Sequence, residues 1–324
     1  MLTRRHFALT AAIFLSALIA MSAALGFLAR NSVPRRVMRH ARTSQSASVL
    51  VLGNSVVEAG FDEPAFDAAA SLPPNHGAAN IGLGASAPVE QLLLLRYALA
   101  HGMHPRLVVY GFFDFQLTEP SRFSTRDLIG NHAMLYYVEP FYARRFYSLS
   151  LHDAIQFRAM RSVAMWVERG AVWQKVEILR RHAAEQGMPA ERSNRFGRTS
   201  DFLLLEADST AAFQHQCEVA LDLPLAPAVG ELFRQAHDAD VNIAVVEMPM
   251  RAQHRQRFYD TASWPPYVAH VRSLLSRYGV AYVDASNWID DDSLFFDPMH
   301  LSHQGAVEFS RKLGSVLAQG DAMR

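Results

Sequence analysis

The chain has 324 residues, half of them hydrophobic, with 31 basic and 31 acidic side chains. This size allows a large hydrophobic core, and a composition of 17 glycines, 15 prolines and one cysteine excludes a collagen-like, disordered or disulfide-stapled protein. The charge is unevenly distributed, because residues 1–42 contain seven arginines and no acidic residue. The remainder has 24 basic against 31 acidic groups, the opposite of what a nucleic-acid-binding surface requires, so we predict no nucleic-acid partner.

The first predicted element is a membrane span at residues 7–29, which contain no charged side chain. At about 1.5 Å per residue, a helix of this length reaches roughly 34 Å and can cross the hydrocarbon core of a bilayer. Arg4 and Arg5 resemble the start of a twin-arginine export signal, but the span is long for a signal and lacks a clean cleavage site after it. We therefore predict a single-pass inner-membrane anchor at residues 1–29, followed by a basic linker at 30–47.

The charges around this span and the export signal predict opposite orientations. Two arginines precede the span and five follow it within thirteen residues, which by charge alone favours a cytoplasmic position for the rest of the chain. Export signals place the downstream domain outside, and the arginines at 30–42 could lie on anionic headgroups. We expect the domain to face the periplasm.

Four short apolar runs beyond the linker predict buried strands, and helical patterns lie between them. The runs are 48–53, 106–111, 242–247 and 280–284, and the predicted helices are 89–101, 228–237, 267–278 and 302–317. Strands that alternate with helices favour a mostly parallel sheet covered on both faces. Residues 120–225 interrupt the alternation with aromatic residues, arginines and a helical pattern at 164–185, and we predict that they form a helical insertion.

Chemically active residues follow the predicted strands, where ligands bind in open parallel sheets. Ser55 comes directly after the first strand, where a neighbouring base could activate its hydroxyl. The segment 80–86 contains glycines that allow a backbone N–H to approach a ligand oxygen, and Gly111-Phe-Phe-Asp114 ends a later strand. Asp297 precedes His300 by three residues, a spacing at which a carboxylate can hold an imidazole as a general base.

The order of these blocks resembles the SGNH, or GDSL, superfamily of serine hydrolases. The blocks are Gly53-Asn-Ser55, Asn80-Ile-Gly82-Leu-Gly84, Gly111-Phe-Phe-Asp114 and Asp297-Pro-Met-His300. The resemblance spans about residues 48–318, with the insertion in the middle unmatched. It implies a flavodoxin-like, three-layer α/β domain with Ser55 as nucleophile, His300 as base and Asp297 as its orienting acid. It also implies an oxyanion hole lined by the N–H groups of Ser55 and Gly84, or of Gly82 in the alternative register.

The third block departs from the family pattern. The family has an asparagine whose side chain donates to the oxyanion, whereas this chain has Phe113, followed by Asp114, whose ionised carboxylate would repel an oxyanion. Loss of one such donor costs a rate factor of about 10²–10³. Asn54, Asn80 and Asn287 are candidate replacements. Asn54, Asn80 and Glu247 are also candidate substrate contacts.

The resemblance implies an acyl-ester hydrolase or O-acyltransferase that acts through an acyl-enzyme on an extracytoplasmic glycan or other polymer. The tethered architecture is similar to that of periplasmic proteins that O-acetylate alginate or D-alanylate teichoic acids, which would make a membrane-bound acyltransferase a partner. The alternative is a catalytically inactive polysaccharide-binding or assembly subunit that has kept the fold.

Two further interpretations compete for the same motifs. Residues 82–87 fit a G-x-G-x-x-A dinucleotide pattern, but no acidic residue stands about twenty positions later. His300, His303 and Asp297 have a spacing compatible with metal ligands, yet only one acid and two histidines are grouped there. We therefore predict no cofactor and no metal.

Overall fold

The computed structural model describes residues 4–118, 139–147, 149–160, 176 and 207–320. It divides the chain into two compact units, residues 1–36 with 123–184 and residues 37–122 with 185–324. The predicted helix at 164–185 lies outside the described residues except for position 176. The domain boundaries and the extent of the insertion stay predictions.

From residue 49 onwards, every described strand is followed by at least one helix. The helices are α1 (Arg4–Leu28), α2 (Val33–Thr43), α3 (Ser55–Gly60), α4 (Glu63–Ala69), α5 (Pro88–Ala100), α6 (Pro140–Ala143), α7 (Leu151–Met160), α8 (Ala207–Ala220), α9 (Pro227–Asp238), α10 (Ala252–His254), α11 (Trp264–Ser276) and α12 (His303–Gln319). The strands are β1 (Val49–Leu52), β2 (Ala78–Asn80), β3 (Leu107–Phe112), β4 (Asn242–Glu247) and β5 (Ala281–Asp284). Short 3₁₀ turns cover Ala29–Asn31 and Asp292–Leu294, and α10 continues into a π-helical turn at Arg255–Tyr259.

The first unit contains an N-terminal helix that is long and apolar enough to cross a membrane. The apolar span His6–Asn31 has a mean hydropathy of 2.2, and its most apolar stretch is not buried against the rest of the chain. Such a surface is costly to expose to water and favourable in hydrocarbon. The predicted N-terminal apolar helix is therefore present, with a length and composition that would allow it to cross a membrane.

The second unit contains a five-stranded, fully parallel sheet with strand order β2-β1-β3-β4-β5. Every residue of β1 and β3 is buried, as expected for central parallel strands covered on both faces. This order is that of the flavodoxin-like doubly wound sheet, so the predicted flavodoxin-like α/β fold is confirmed. The three-residue strand β2 was not among the predicted strands because it is too short to carry a hydrophobic pattern.

Helices cover the sheet in two groups. Helices α3, α4 and α12 pack together, and α5 packs against α9. Right-handed crossovers on either side of the point where the strand order reverses place these groups on opposite faces. Leu92 to Leu95 in α5 are all fully buried, so this helix lies within the core.

The single cysteine belongs to the interior of the second unit. Cys217 on α8 is fully buried and forms no disulfide. Burial raises the pKa of its thiol to about 11.

A histidine and a glutamate connect α2 to the start of α4. His40 Nε2 lies 2.7 Å from Glu63 Oε1, and the same oxygen accepts the Asn80 backbone N–H at 2.6 Å. The hydrogen bond to Glu63 raises the pKa of His40, burial opposes this, and the negative charge of Glu63 adds to it. The Glu63 carboxylate therefore links α2 to the end of β2 through hydrogen bonds.

The raised pKa of His40 predicts a pH-dependent contribution to stability. Because the folded state holds this proton more tightly, the contribution is complete below the ordinary histidine pKa of 6.5 and is lost as pH rises through the raised value. The melting temperature of His40→Gln should fall furthest below wild type near pH 5.5, and the difference should shrink by pH 8.5. His237→Gln, an exposed change on α9, serves as the control; a His40→Gln deficit that does not vary with pH would contradict the assignment.

Candidate active site

Ser55 is the first residue of α3 and stands just beyond the carboxyl end of β1. The preceding Asn54 caps this helix, because its side-chain oxygen accepts the Val56 N–H at 3.1 Å. Gly53 has a φ of +157°, and a Cβ there would lie 2.2 Å from Val57 Cγ2 and 2.7 Å from the Gly111 carbonyl oxygen. The turn is thus closed by a glycine that admits no side chain, and Ser55 is held half-buried at the sheet edge.

Asp297 and His300 form a tight turn just before α12. Asp297 Oδ1 accepts the backbone N–H groups of Met299 at 2.9 Å and His300 at 2.8 Å. A Cβ on Gly305 would lie 2.2 Å from the Leu294 carbonyl oxygen, so the first turn of α12 packs directly against the preceding segment. These contacts fix the turn and the direction of the imidazole.

The predicted nucleophile, base and acid are brought together across the fold. His300 Nε2 is 2.9 Å from Ser55 Oγ, and His300 Nδ1 is 2.7 Å from Asp297 Oδ2. His300 and Asp297 are buried, while Ser55 is half-buried. With Nδ1 donating to the carboxylate, Nε2 can accept the serine proton, which is the arrangement of a Ser-His-Asp triad.

Asp297 is kept in its ionised form by its neighbours. Burial alone raises its pKa, but the hydrogen bond from His300, the His300 charge and the two backbone N–H donors outweigh burial and lower the pKa below its usual value. An ionised carboxylate beside Nδ1–H stabilises the imidazolium that forms when Nε2 takes up a proton.

The two glycines predicted to line the oxyanion hole are already hydrogen-bonded. Gly84 N–H donates to the buried carboxylate of Glu58, one helical turn after Ser55, and Gly82 N–H donates to Asn80 Oδ1 at 2.9 Å. Neither N–H is therefore open to an oxyanion in this conformation, in contrast to the sequence expectation. A role for Gly84 stays a prediction that requires Glu58 to release its N–H.

Asn80 is occupied by the loop around it. Its side-chain nitrogen donates to the carbonyl oxygens of Val57 at 3.2 Å and Phe61 at 3.4 Å, and its oxygen accepts from Gly82. Both amide protons are therefore used, and the predicted donor or substrate contact has no free N–H here. Asn80 shapes the loop instead.

Asp114 contacts the segment after β4. It has a φ of +48°, and its Oδ1 accepts from Tyr259 Oη at 2.8 Å and faces His254 Nε2 at 3.5 Å. Its backbone carbonyl accepts from Tyr267 Oη at 3.4 Å. Within the described residues its carboxylate has no hydrogen bond to Ser55 or His300, so this geometry places it in a structural network.

Gln116 is a polar residue near Ser55 that was not among the residues predicted from the sequence. Its backbone N–H donates to the Phe113 carbonyl at 3.4 Å, which closes a turn, and its Oε1 accepts from Asn54 Nδ2 at 3.4 Å. Since Asn54 Oδ1 caps α3, both ends of the Asn54 amide are occupied. The sequence did contain a signal for it, because Gln116 carries a side-chain amide and lies three positions after Phe113, which stands at the position of the family asparagine.

Glu247 and Asn287 lie at the same edge of the sheet but further from Ser55. Glu247 ends β4 and is 1% exposed, and Asn287 follows β5. Both line a cavity with no triad residue among its walls. Because β4 is separated from β1 by β3, this cavity begins about two strand spacings, roughly 10 Å, from the strand that carries Ser55.

The part of the chain that the structure describes contains no group of three His, Cys, Asp or Glu side chains able to hold a metal ion. His300 has both ring nitrogens engaged, by Ser55 and by Asp297. His303 is exposed at the start of α12.

No protein-family model and no curated protein matches the chain. Among solved structures, it is similar to a candidate acylhydrolase from Bacteroides fragilis, with 11% identity over 85% of this chain and 88% of that one, at a TM-score of 0.38. It is also similar to a candidate arylesterase from Agrobacterium tumefaciens, with 13% identity over 84% and 98% of the two chains and a TM-score of 0.36. A carbohydrate acetylesterase from Sinorhizobium meliloti matches with 12% identity over the same shares and a TM-score of 0.33.

Proposed function

We propose that the protein is a serine acyl-ester hydrolase or O-acyltransferase. The observation that carries this proposal is the pair of hydrogen bonds, 2.9 Å and 2.7 Å long, that link Ser55 to His300 and His300 to Asp297. These three side chains come from loops at one edge of a parallel sheet, 245 positions apart at the extremes. Such an arrangement activates a hydroxyl for attack on an acyl carbon.

The proposed reaction proceeds in two halves. Ser55 Oγ attacks the carbonyl carbon while its proton passes to His300 Nε2, and collapse of the tetrahedral intermediate breaks the ester C–O bond. The leaving alkoxide takes the proton from His300. Water or an acceptor hydroxyl then gives a proton to His300 and attacks the acyl-enzyme, and this proton returns to Ser55 Oγ as the second product leaves.

The oxyanion requires donors other than the family asparagine. The Ser55 backbone N–H is one candidate, since no acceptor for it is found among the described residues. The Gln116 carboxamide is the second: its Oε1 is held by Asn54 Nδ2, and its Nε2 has no acceptor in the described part of the chain. Phe113 is half-buried beside this turn and has no donor of its own.

The acyl ester is proposed to be carried by a glycan or other polymer outside the cytoplasm, with a membrane-bound acyltransferase as partner. The apolar N-terminal helix, which is long enough to cross a membrane, supports a tethered protein. The resemblance to tethered polymer-modifying proteins supports the choice of substrate.

The second candidate is an inactive binding or assembly subunit. Two observations favour it: Phe113 replaces the oxyanion donor, and Glu58 holds the Gly84 N–H. The intact Ser55–His300–Asp297 hydrogen bonds favour the enzyme.

The triad assignment predicts loss of both activity and covalent labelling. Ser55→Ala and His300→Ala should each lower kcat on p-nitrophenyl acetate by about 10⁴-fold or more, and the double variant should be scarcely worse because these groups act as a unit. A fluorophosphonate probe should label wild type and fail on Ser55→Ala, whereas Ser273→Ala, an exposed change on α11, should behave as wild type. An unlabelled, inactive wild type would instead favour the binding subunit.

The Gln116 assignment can be separated from a purely structural role by two substitutions. Gln116→Ala should lower kcat by about 10²–10³-fold with little change in KM, because a transition-state donor is lost. Gln116→Glu keeps the acceptor for Asn54 Nδ2 but lacks the N–H donor, and should be at least as impaired. Wild-type activity in Gln116→Glu would show that Gln116 only positions Asn54.

The orientation is tested with a reporter fused after residue 324. Alkaline phosphatase should be active there and fractionate with membranes, because it folds only outside the cytoplasm. A β-galactosidase fusion at the same point should be inactive. The reverse pattern would mean that the arginines at 30–42 hold the domain in the cytoplasm.

A further inference from the structure

A cavity of about 610 Å³ lies at the carboxyl ends of β4 and β5, separate from the triad. Its walls include Glu247 and Asp284 from the two strand ends, together with Arg255, Asp260, Arg272 and Asn287. This volume falls within the range of about 300–1,000 Å³ that is typical of small-ligand sites. The walls are rich in charged and amide groups, so a polar ligand suits it.

One residue of the cavity wall has a carboxyl oxygen without a partner within the described residues. Glu247 is 1% exposed; its Oε2 accepts from Tyr282 Oη, but its Oε1 is buried and has no hydrogen-bond partner within the described residues. A buried polar atom without a hydrogen bond is costly in either protonation state of the carboxyl group. A donor on a bound ligand would remove this cost.

The charges around the cavity favour a cationic ligand. Arg255 is paired with Asp290 at 3.2 Å and donates to the Met250 carbonyl at 2.7 Å, and Arg272 is paired with Asp284 at 3.3 Å. Neither arginine forms an ion pair with Glu247 or Asp260 in the described part of the chain. Asp290 and Asp284 are thus paired with the two arginines of the cavity, and the carboxyl groups of Glu247 and Asp260 remain without an arginine partner in the described part of the chain.

We propose that this cavity binds the ammonium group of an amino sugar or similar hydroxyl-bearing amine, with Glu247 Oε1 as its buried acceptor. Asp260, exposed at the opening, adds attraction for the cation. Ser286 and Asn287 provide neutral partners for hydroxyl groups. A metal ion is the poorer fit, because no three potential ligands converge within the described residues.

Binding of an ammonium group is coupled to the proton on Glu247. Burial raises the pKa of Glu247 to about 7; the charges of Asp284 and Asp114 raise it too, while the Tyr282 hydrogen bond and Arg272 lower it. A cation at Oε1 favours the ionised form and lowers this pKa again. Below about pH 7, the site should therefore release a proton when it fills.

The position of the cavity connects it with the triad. A ligand unit seated there lies roughly 10 Å from the strand that leads to Ser55, about the length of a disaccharide. If the proposed function holds, the cavity recognises an amine-bearing unit near the acylated unit of the same chain. This last step rests on the proposed function, whereas amine binding does not.

The experiment is calorimetry of full-length Ser55→Ala protein in detergent at pH 6.5, with a trisaccharide of glucosamine and its fully N-acetylated counterpart. We expect the amine form to bind at least tenfold more tightly and to release protons, detected from the dependence of the binding heat on the ionisation heat of the buffer. Glu247→Gln, added to Ser55→Ala, keeps the Tyr282 hydrogen-bond acceptor but should weaken amine binding at least tenfold and abolish its share of proton release.

The matched control is Asp240→Asn, which removes one negative charge in the turn before β4, at the opposite end of that strand. It should bind as the parent does. Equal affinity for both trisaccharides, no binding of either, or an unchanged affinity in Glu247→Gln would overturn the proposal. Binding is measured in protein that lacks the proposed nucleophile. A failure of amine binding therefore does not contradict hydrolysis of p-nitrophenyl acetate by the wild type, and absence of that hydrolysis does not contradict amine binding.

Discussion

The Val57 side chain occupies the space that two glycines leave open, and the position of Ser55, the proposed nucleophile, depends on this contact. A Cβ on Gly53 would lie 2.2 Å from Val57 Cγ2, and a Cβ on Gly111 would lie 2.3 Å from the same atom. Helix α3 can therefore settle close to the ends of β1 and β3. Because Ser55 begins this helix, the same packing sets where its hydroxyl meets His300.

Around Ser55, the three hydrogen-bonded side chains of the proposed proton relay stand beside N–H groups that are mostly engaged by other acceptors. Asp297 uses one oxygen to shape the turn and the other to orient the imidazole. Near Ser55, the Gly84 N–H donates to Glu58. The Asn54 side chain accepts a backbone N–H of α3 and donates to Gln116. Electrostatic stabilisation of an oxyanion is commonly the largest catalytic term, so these donors decide whether the relay produces turnover.

Much of the fold could be predicted from local patterns, and much of the site could not. Strands β1, β3, β4 and β5 are continuous apolar runs, whereas β2 has only three residues and leaves no comparable signal. Ser55, Asp297 and His300 were found through the order of motifs. The partner of the Gly84 N–H was not found, because the Glu58 side chain reaches it from α3 across to the loop after β2, 26 positions away. Gln116 was missed for the same reason: its contact with Asn54 joins positions 62 residues apart.

The buried thiol on α8 has a practical consequence for chemical labelling. Thiolates, not thiols, react with maleimides and oxidants, and a thiol whose pKa is about 11 is almost entirely protonated at neutral pH. Cys217 is also fully enclosed, and it is the sole cysteine of the chain. Cys217 should therefore not react with thiol reagents in the folded protein. A cysteine introduced at the surface would be the single site for a spectroscopic label, and Cys217 would not have to be removed.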